Sequence, residues 1–151
     1  MSDLTFRRDL LEGQQAEILF AEEMINRGHS KPFFNRSKSI KELRGWDLEI
    51  VLSNGRLSRF EVKLDKMSSR TGNLALEFYG RSAPSGINAT SADYFVFISG
   101  KEFYIFEVYK LKEMIETGKY KSLQINNQTA WIYLLPIKDI KQYSLSLNYE
   151  L

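Results

Sequence analysis

Two carboxylates and a lysine stand at a spacing that could hold a divalent cation. Asp47 is followed fourteen residues later by Glu61-Val62-Lys63, and both acids lie in segments that alternate apolar and polar residues. Such alternation is typical of half-buried β-strands, and the Asn54-Gly55 pair between the segments is a strong turn signal. Residues 45–65 are therefore predicted to form a β-hairpin.

The pairing of the two arms decides where the acids lie. A two-residue loop at Asn54-Gly55 would put the core residue Leu48 opposite Glu61, a slip that a sheet with one buried face resists. A three-residue loop, Ser53-Asn54-Gly55, with Gly55 in the left-handed conformation keeps the apolar faces together. This register sets Asp47 across from Glu61, with the Lys63 ammonium in the same polar patch.

The predicted patch carries two like charges that need a counter-charge. Carboxylates on neighbouring strands repel unless a cation or the lysine neutralises them. Mg²⁺ prefers oxygen ligands, keeps several waters, and binds one or two carboxylates together with substrate phosphate oxygens. The patch is therefore typical of phosphodiester chemistry, and a purely structural ion-paired cluster is the alternative.

Length and composition exclude several other kinds of site. The chain of 151 residues, 43% hydrophobic, is of a size for a single domain over residues 1–151. With no cysteine and one histidine, it can form neither a cysteine zinc site nor a histidine metal centre. No apolar run approaches a membrane span, and the first residues lack a signal-peptide core. We expect a soluble, cytoplasmic protein with no membrane partner.

A basic segment leads into Asp47, although the net charge is only +2. From Arg27 to Trp46, six basic residues stand against the single acid Glu42. A positive approach to an acidic patch suits a nucleic-acid backbone, and an ordinary solvated loop is the alternative. The predicted DNA-contacting residues are basic side chains of this segment and of later loops: Arg36, Lys38, Lys41, Arg44, Lys66, Arg70 and Arg81.

The first predicted helix, residues 6–27, carries an acid on its apolar face. Gly28 follows as an end signal, and Glu17 falls near the middle of the face, where an unpaired carboxylate is costly to bury. Glu17 either pairs with an arginine of the core, reaches a helix end, or points over the sheet toward Lys63. The apolar face comprises Phe6, Leu10, Ile18, Ala21, Met24 and Ile25.

The rest of the chain alternates predicted strands and helices. Strands are expected over residues 73–79, 94–99, 103–108 and 130–135, and helices over 109–117 and 137–143. This order predicts an α/β fold with one mixed central sheet flanked by helices. Glu77 projects from the third strand, on the face opposite its aliphatic residues. That face can be the face of Glu61, and a solvated glutamate is the alternative.

The sequence resembles the PD-(D/E)XK nuclease superfamily, whose restriction-endonuclease-like fold has an αβββαβ core. The resemblance covers residues 6–99 and rests on Asp47…Glu61-Val62-Lys63 in a hairpin, with Trp46 in place of the motif's proline. Phage-type members are similar in Thr71-Gly72-Asn73, Glu77, Ser85-Gly86-Ile87 and Thr90-Ser91-Ala92-Asp93-Tyr94.

This resemblance implies a metal-dependent DNA endonuclease that hydrolyses phosphodiester bonds through a Mg²⁺-activated water, with Mn²⁺ able to substitute. Asp47, Glu61 and the Val62 carbonyl would hold the metal, and Lys63 would orient the water and stabilise negative charge. An acid from the first helix often joins such sites, which makes Glu17 a candidate, and Glu77 is a further one.

The resemblance also bears on partners. Cutting both strands of a duplex usually calls for two active sites, which favours a homodimer or homotetramer. The alternative function is a non-catalytic nucleic-acid-binding module that keeps the nuclease fold. An RNA-directed nuclease is a third reading.

Overall fold

The computed structural model describes residues 3–35, 45–80, 82–125 and 129–145, without the side chains of residues 3–10. The helices in these ranges are α1 (Asp3–Asn26), α2 (Ser68–Thr71), α3 (Val108–Glu116) and α4 (Ile137–Ile140). The strands are β1 (Phe33–Phe34), β2 (Leu48–Val51), β3 (Leu57–Leu64), β4 (Asn73–Gly80), β5 (Ala83–Pro84), β6 (Tyr94–Ser99), β7 (Glu102–Glu107), β8 (Ser122–Gln124) and β9 (Trp131–Pro136). None of the described helices is long and apolar enough to span a bilayer.

The strands of the described residues form two sheets. The first has the order β1-β2-β3-β6-β7, and it is mixed because β3 and β6 run parallel while the other neighbours are antiparallel. The second, β5-β4-β9-β8, is antiparallel throughout. The predicted α/β class with a mixed central sheet is confirmed. The prediction of one sheet is wrong, because β6 occupies the free edge of β3 and β4 pairs with β9 instead.

The hairpin of β2 and β3 has the predicted turn. Leu52 N–H donates to Arg56 O at 2.8 Å, which closes the three-residue loop Ser53-Asn54-Gly55. Gly55 has φ 88°, a conformation that glycine adopts without the penalty of a Cβ. This odd loop keeps Leu48 opposite Phe60, so the two buried faces coincide as expected.

Helix α1 lies on the first sheet through a stripe of residues spaced four apart, Ala16, Phe20 and Met24, all of which are buried. The predicted face is wrong for Ile18 and Ile25, which are 45% and 47% exposed. Apolar residues stand on both sides of this helix, so their period alone does not decide which side meets the sheet.

The end of α1 follows the prediction. Gly28 has φ 93°, and His29 N–H donates back to Met24 O at 3.1 Å. The buried His29 ring accepts Ser53 N–H on Nδ1 at 2.9 Å, which fastens the helix end to the hairpin turn. Two predicted members of the apolar face, Phe6 and Leu10, have side chains outside the described part of the chain.

Strand β6 separates two buried clusters, and all of its residues are buried, as predicted. Tyr94, Val96 and Ile98 face the cluster formed with α1 and the hairpin. Phe95 and Phe97 face the other way, into a cluster with residues of β4 and α3. Since Glu61 pairs with Phe95 in the parallel ladder, its side of β3 is turned toward the second sheet.

Candidate active site

Asp47 lies immediately before β2, and the backbone of β3 holds it. Asp47 N–H donates to Phe60 O at 2.9 Å, and Asp47 Oδ2 accepts Val62 N–H at 2.7 Å. Because Glu61 lies between Phe60 and Val62, these bonds place the two acids side by side. This neighbourhood is the one that the three-residue loop predicts.

A second contact holds the chain just ahead of Asp47. Gly45 O accepts Ser91 N–H at 2.8 Å and the Thr90 hydroxyl at 3.3 Å. Trp46 then lies under the Arg59 guanidinium, whose carbon is 5.0 Å from the ring centroid. The segment that carries Asp47 is therefore fixed from both ends.

Glu61 is a buried carboxylate with an unsatisfied oxygen. The residue is 6% exposed, and within the described residues its Oε2 atom has no hydrogen-bond partner. Burial raises the pKa of Glu61 to about 7, Lys63 opposes that rise, and Asp47 and Glu77 add to it. The carboxylate is thus poised to accept a cation or a proton.

Lys63 is the positive charge of this group. Part of the side chain is exposed, and the loss of hydration around the rest lowers its pKa. The negative charges of Glu61, Asp47, Glu77 and Glu17 outweigh this loss and leave the Lys63 pKa above its ordinary value. The amine therefore stays protonated at neutral pH.

The structure brings all five predicted catalytic side chains into one electrostatic group around Lys63. Asp47, Glu61 and Lys63 come from the hairpin, whereas Glu17 comes from the buried face of α1, where it is 7% exposed. Glu77 comes from β4 and is half-buried. Of these side chains, only the hairpin residues are close neighbours in the sequence.

A loop pressed against β4 fixes the position of Glu77. Gly86 has φ 51°, and a Cβ added there would lie 2.0 Å from Glu77 O. Ser85 N–H and Asn88 Nδ2 donate to Phe78 O at 3.1 Å and 3.2 Å. Only glycine therefore fits at position 86, and the loop is held against the strand at the predicted site residue.

The predicted metal ligands, Asp47, Glu61 and Val62, all lie within the described residues. Across those ranges, no group of three or more His, Asp or Glu side chains stands close enough to hold an ion. Mg²⁺ needs only one or two carboxylates because waters and phosphate oxygens complete its shell. The unsatisfied Glu61 Oε2 beside Asp47 fits such a two-carboxylate site. Val62 is buried, and its N–H is taken by Asp47.

The predicted DNA-contacting residues are described only in part. Lys66 and Arg70 are exposed just beyond β3. Lys66 forms an ion pair with Glu12 of α1, and Arg70 Nη2 lies 3.4 Å from the Met67 sulfur. The others lie outside the described residues: Arg36, Lys38, Lys41, Arg44 and Arg81.

The sequence reading missed Asp65, which joins the two sheets at the edge of the site. Its Oδ1 accepts Ser68 N–H at 2.9 Å and Met67 N–H at 3.2 Å. Its Oδ2 accepts Ala75 N–H of β4 at 2.8 Å. In turns, an aspartate side chain commonly accepts hydrogen bonds from backbone N–H groups two or three residues later. The run Asp65-Lys66-Met67-Ser68 therefore predicts such a turn.

Comparisons with models of protein families, with curated proteins and with solved structures find no match to this chain. Likeness to the PD-(D/E)XK superfamily therefore rests on the motif residues themselves. Function has to be argued from the geometry and charge of the group around Lys63.

Proposed function

We propose that this protein is a divalent-metal-dependent DNA endonuclease with a restriction-endonuclease-like αβββαβ core, encoded by a phage and acting inside the cell. The observation that carries the proposal is the buried Glu61 carboxylate, which interacts with the charges of Lys63 and Asp47 and has one oxygen without a hydrogen-bond partner among the described residues. A carboxylate with a strongly shifted pKa beside a second acid and a cation is more typical of functional sites than of structural ion pairs.

Each member of the group has a role in this proposal. Asp47 and Glu61 hold Mg²⁺ or Mn²⁺ with the Val62 carbonyl, and the bound ion supplies Lewis-acid polarisation and a water of lowered pKa. Val62 N–H orients Asp47 through its 2.7 Å hydrogen bond. Lys63 keeps its proton and stabilises charge that develops on the phosphate. Glu17 and Glu77 strengthen the field that keeps Lys63 protonated.

A cleavage assay with matched variants tests the proposal. Labelled plasmid and linear duplex are incubated with Mg²⁺, with Mn²⁺ and with chelator, using wild type, Asp47→Asn, Glu61→Gln and Glu49→Gln. Loss of either metal ligand should reduce cleavage by at least about a hundredfold. Glu49 lies on the same arm but pairs with Arg59 at 2.9 Å, so Glu49→Gln should retain activity. Undiminished cleavage by purified Glu61→Gln would refute the assignment.

A second candidate is a nucleic-acid-binding module that keeps the fold without chemistry. It is favoured by the mutual charge interactions of Asp47, Glu61 and Lys63, which a purely structural ion-paired cluster would also make. Metal-independent binding of DNA or RNA without products in the same assay would support the module. Cleavage of RNA rather than DNA would leave the site assignment intact and change the substrate.

The oligomeric state belongs to the same proposal. Two strands of a duplex are cut in one encounter only if two sites act together, so we expect a homodimer or homotetramer. Direct conversion of plasmid to linear product, together with a dimer mass in sedimentation, would agree with this. A monomer that only nicks would contradict it.

A further inference from the structure

A recess with a volume of about 340 Å³ opens next to Lys63, between β3 and the second sheet. This volume falls within the range of ligand sites in proteins, which is about 300–1,000 Å³. Lys63 and Glu77 line the recess, and both also belong to the charged group around Lys63. An occupant of the recess would therefore lie beside that group.

The inner wall of the recess is apolar. It is formed by Ala75 of β4, Phe95 of β6 and Ile132 of β9, and Ile125 after β8 lines the edge. Phe95 and Ile132 are 1% and 7% exposed, so the floor is rigid packing rather than mobile side chains. A flat, weakly hydrated group would be favoured there over a charged one.

The rim of the recess is charged, with Lys63 and Lys66 as its cations and Glu77 as an acid. Asp65 also lines it, but both of its carboxylate oxygens already accept backbone N–H groups. Lys66 pairs with the half-buried Glu12 at the surface, and 55% of the Lys66 side chain stays exposed, so an incoming anion would compete with Glu12 for the ammonium. The recess therefore fits a ligand with a flat apolar part and an adjoining negative charge.

We propose that the recess receives the unpaired base of the nucleotide next to the scissile phosphate, so that DNA containing a single-stranded segment is cut in preference to a continuous duplex. This inference rests on the proposed nuclease function. A base in a continuous duplex is paired and stacked, and extracting it costs a few kcal/mol. An already unpaired base enters without that cost, while the backbone phosphates reach Lys63 and Lys66.

The first test compares the cleavage rates of three DNA substrates, both for wild type and for a variant in which a larger side chain fills the recess. The substrates are one labelled sequence as a single strand, as a flap and as a continuous duplex, each supplied with Mg²⁺. Wild type should cut the single-stranded segments at least about tenfold faster than the duplex. Ala75→Phe, which fills the recess, should remove that preference. Ser122→Phe adds the same ring at an exposed position of β8 that does not line the recess and should leave the preference unchanged.

A second variant, Ile125→Trp, keeps the comparison possible if Ala75→Phe does not fold. Ile125 is half-buried at the edge of the recess, so Ile125→Trp narrows the opening without burying a new ring in the core. Both variants are first checked by thermal unfolding. Equal rates on single strand and duplex for wild type would overturn the proposal. An unchanged preference in folded Ala75→Phe and Ile125→Trp would overturn it as well.

A binding readout separates this inference from the nuclease proposal. Single-stranded DNA carrying 2-aminopurine is titrated with the protein in chelator, and the fluorescence reports a base that leaves its stacked neighbours. A signal in wild type that disappears in Ala75→Phe supports the recess even if no DNA is ever cut. Metal-dependent cleavage with no such signal supports the nuclease and refutes the recess.

Discussion

Burying the Glu61 carboxylate gives the site a folding cost. A pKa of about 7 in place of the ordinary value of 4.5 means that the ionised side chain is disfavoured in the fold by roughly 3 kcal/mol. Groups retained at such a cost are commonly functional, because selection for stability alone would remove them. A bound cation offsets the cost by supplying the missing partner to Oε2.

Replacing Glu61 by glutamine should stabilise the protein at alkaline pH in chelator. Below pH 4.5, Glu61 is protonated in both the folded and the unfolded chain, so its burial does not lower the free energy of unfolding of the wild type there. Between pH 4.5 and about 7 the unfolded chain releases the proton first, and the stability of the wild type falls. The free energy of unfolding of Glu61→Gln should exceed that of wild type by about 1–3 kcal/mol at pH 8, and the gain should vanish at pH 4.

Urea titrations at the two pH values measure this difference. Glu49→Gln is again the matched control, because Glu49 lies on the same hairpin and makes an ion pair with Arg59. It should show no pH-dependent gain. An equal gain for Glu61→Gln at pH 4 and pH 8 would contradict the burial argument.

The acids were accessible to sequence reasoning, but the environment of Glu61 was not. Alternation and turn parity were enough to place Asp47 beside Glu61, since both depend only on neighbours in the chain. Alternation also assigned Glu61 to a polar face, yet the residue is 6% exposed. The second sheet covers that face, and its strands come from residues 73–136, which no local pattern connects to the hairpin.

At the scale of elements, two turns position residues of the site, and each turn requires its glycine for a different reason. Gly55 needs a positive φ but has open space around it, with nothing within 4 Å of an added Cβ. Gly86 needs a positive φ and also lies against Glu77 O, only 2.0 Å from an added Cβ. The first glycine sets the register of Asp47, and the second sets the position of Glu77.

Alanine substitutions should separate these constraints. Gly55→Ala should lower the free energy of unfolding by about 1–2 kcal/mol, the cost of a left-handed L-residue. Gly86→Ala adds a backbone overlap to the same strain and should cost about 3 kcal/mol or more. Denaturant unfolding compares the two variants directly. Equal losses of free energy of unfolding in the two variants would show that the loop at Gly86 shifts to accommodate the added methyl group without displacing β4.

Sequence patterns predicted helices, turns and strands well where residues close together in the chain determine the structure. Gly28 ends α1, Gly55 closes the hairpin, and the continuous apolar run Tyr94–Ser99 forms a strand buried on both faces. The face of α1 was harder to predict, since the exposed Leu11, Ile18 and Ile25 compete with the buried stripe in any periodic count. Partner strands were harder still, because pairing of β4 with β9 spans some sixty residues.

At the scale of the molecule, the group of charged side chains around Lys63 is assembled from α1, the hairpin and the second sheet. Four acids surround one lysine, so negative charge is in excess once Glu61 is ionised. An added divalent cation should relieve that repulsion and so bind the folded chain in preference to the unfolded one.

Magnesium should therefore raise the melting temperature of the protein. A free concentration of about ten times Kd adds about 1.4 kcal/mol, which corresponds to about 3–6 °C for a chain of this length. Chelator should reverse the shift, and Asp47→Asn should abolish it. Differential scanning fluorimetry in constant ionic strength, with Na⁺ replacing Mg²⁺, measures the effect. A shift that persists in Asp47→Asn would place the cation elsewhere.

Asp65 ties the turn after β3 to strand β4 through hydrogen bonds. One carboxylate grips the turn after β3 with one oxygen and the first half of β4 with the other. The gap between Lys63 and Glu77 is consequently governed by a side chain that takes no part in the proposed chemistry. Separating β3 from β4 would therefore require the hydrogen bond from Ala75 N–H to Asp65 to stretch or break.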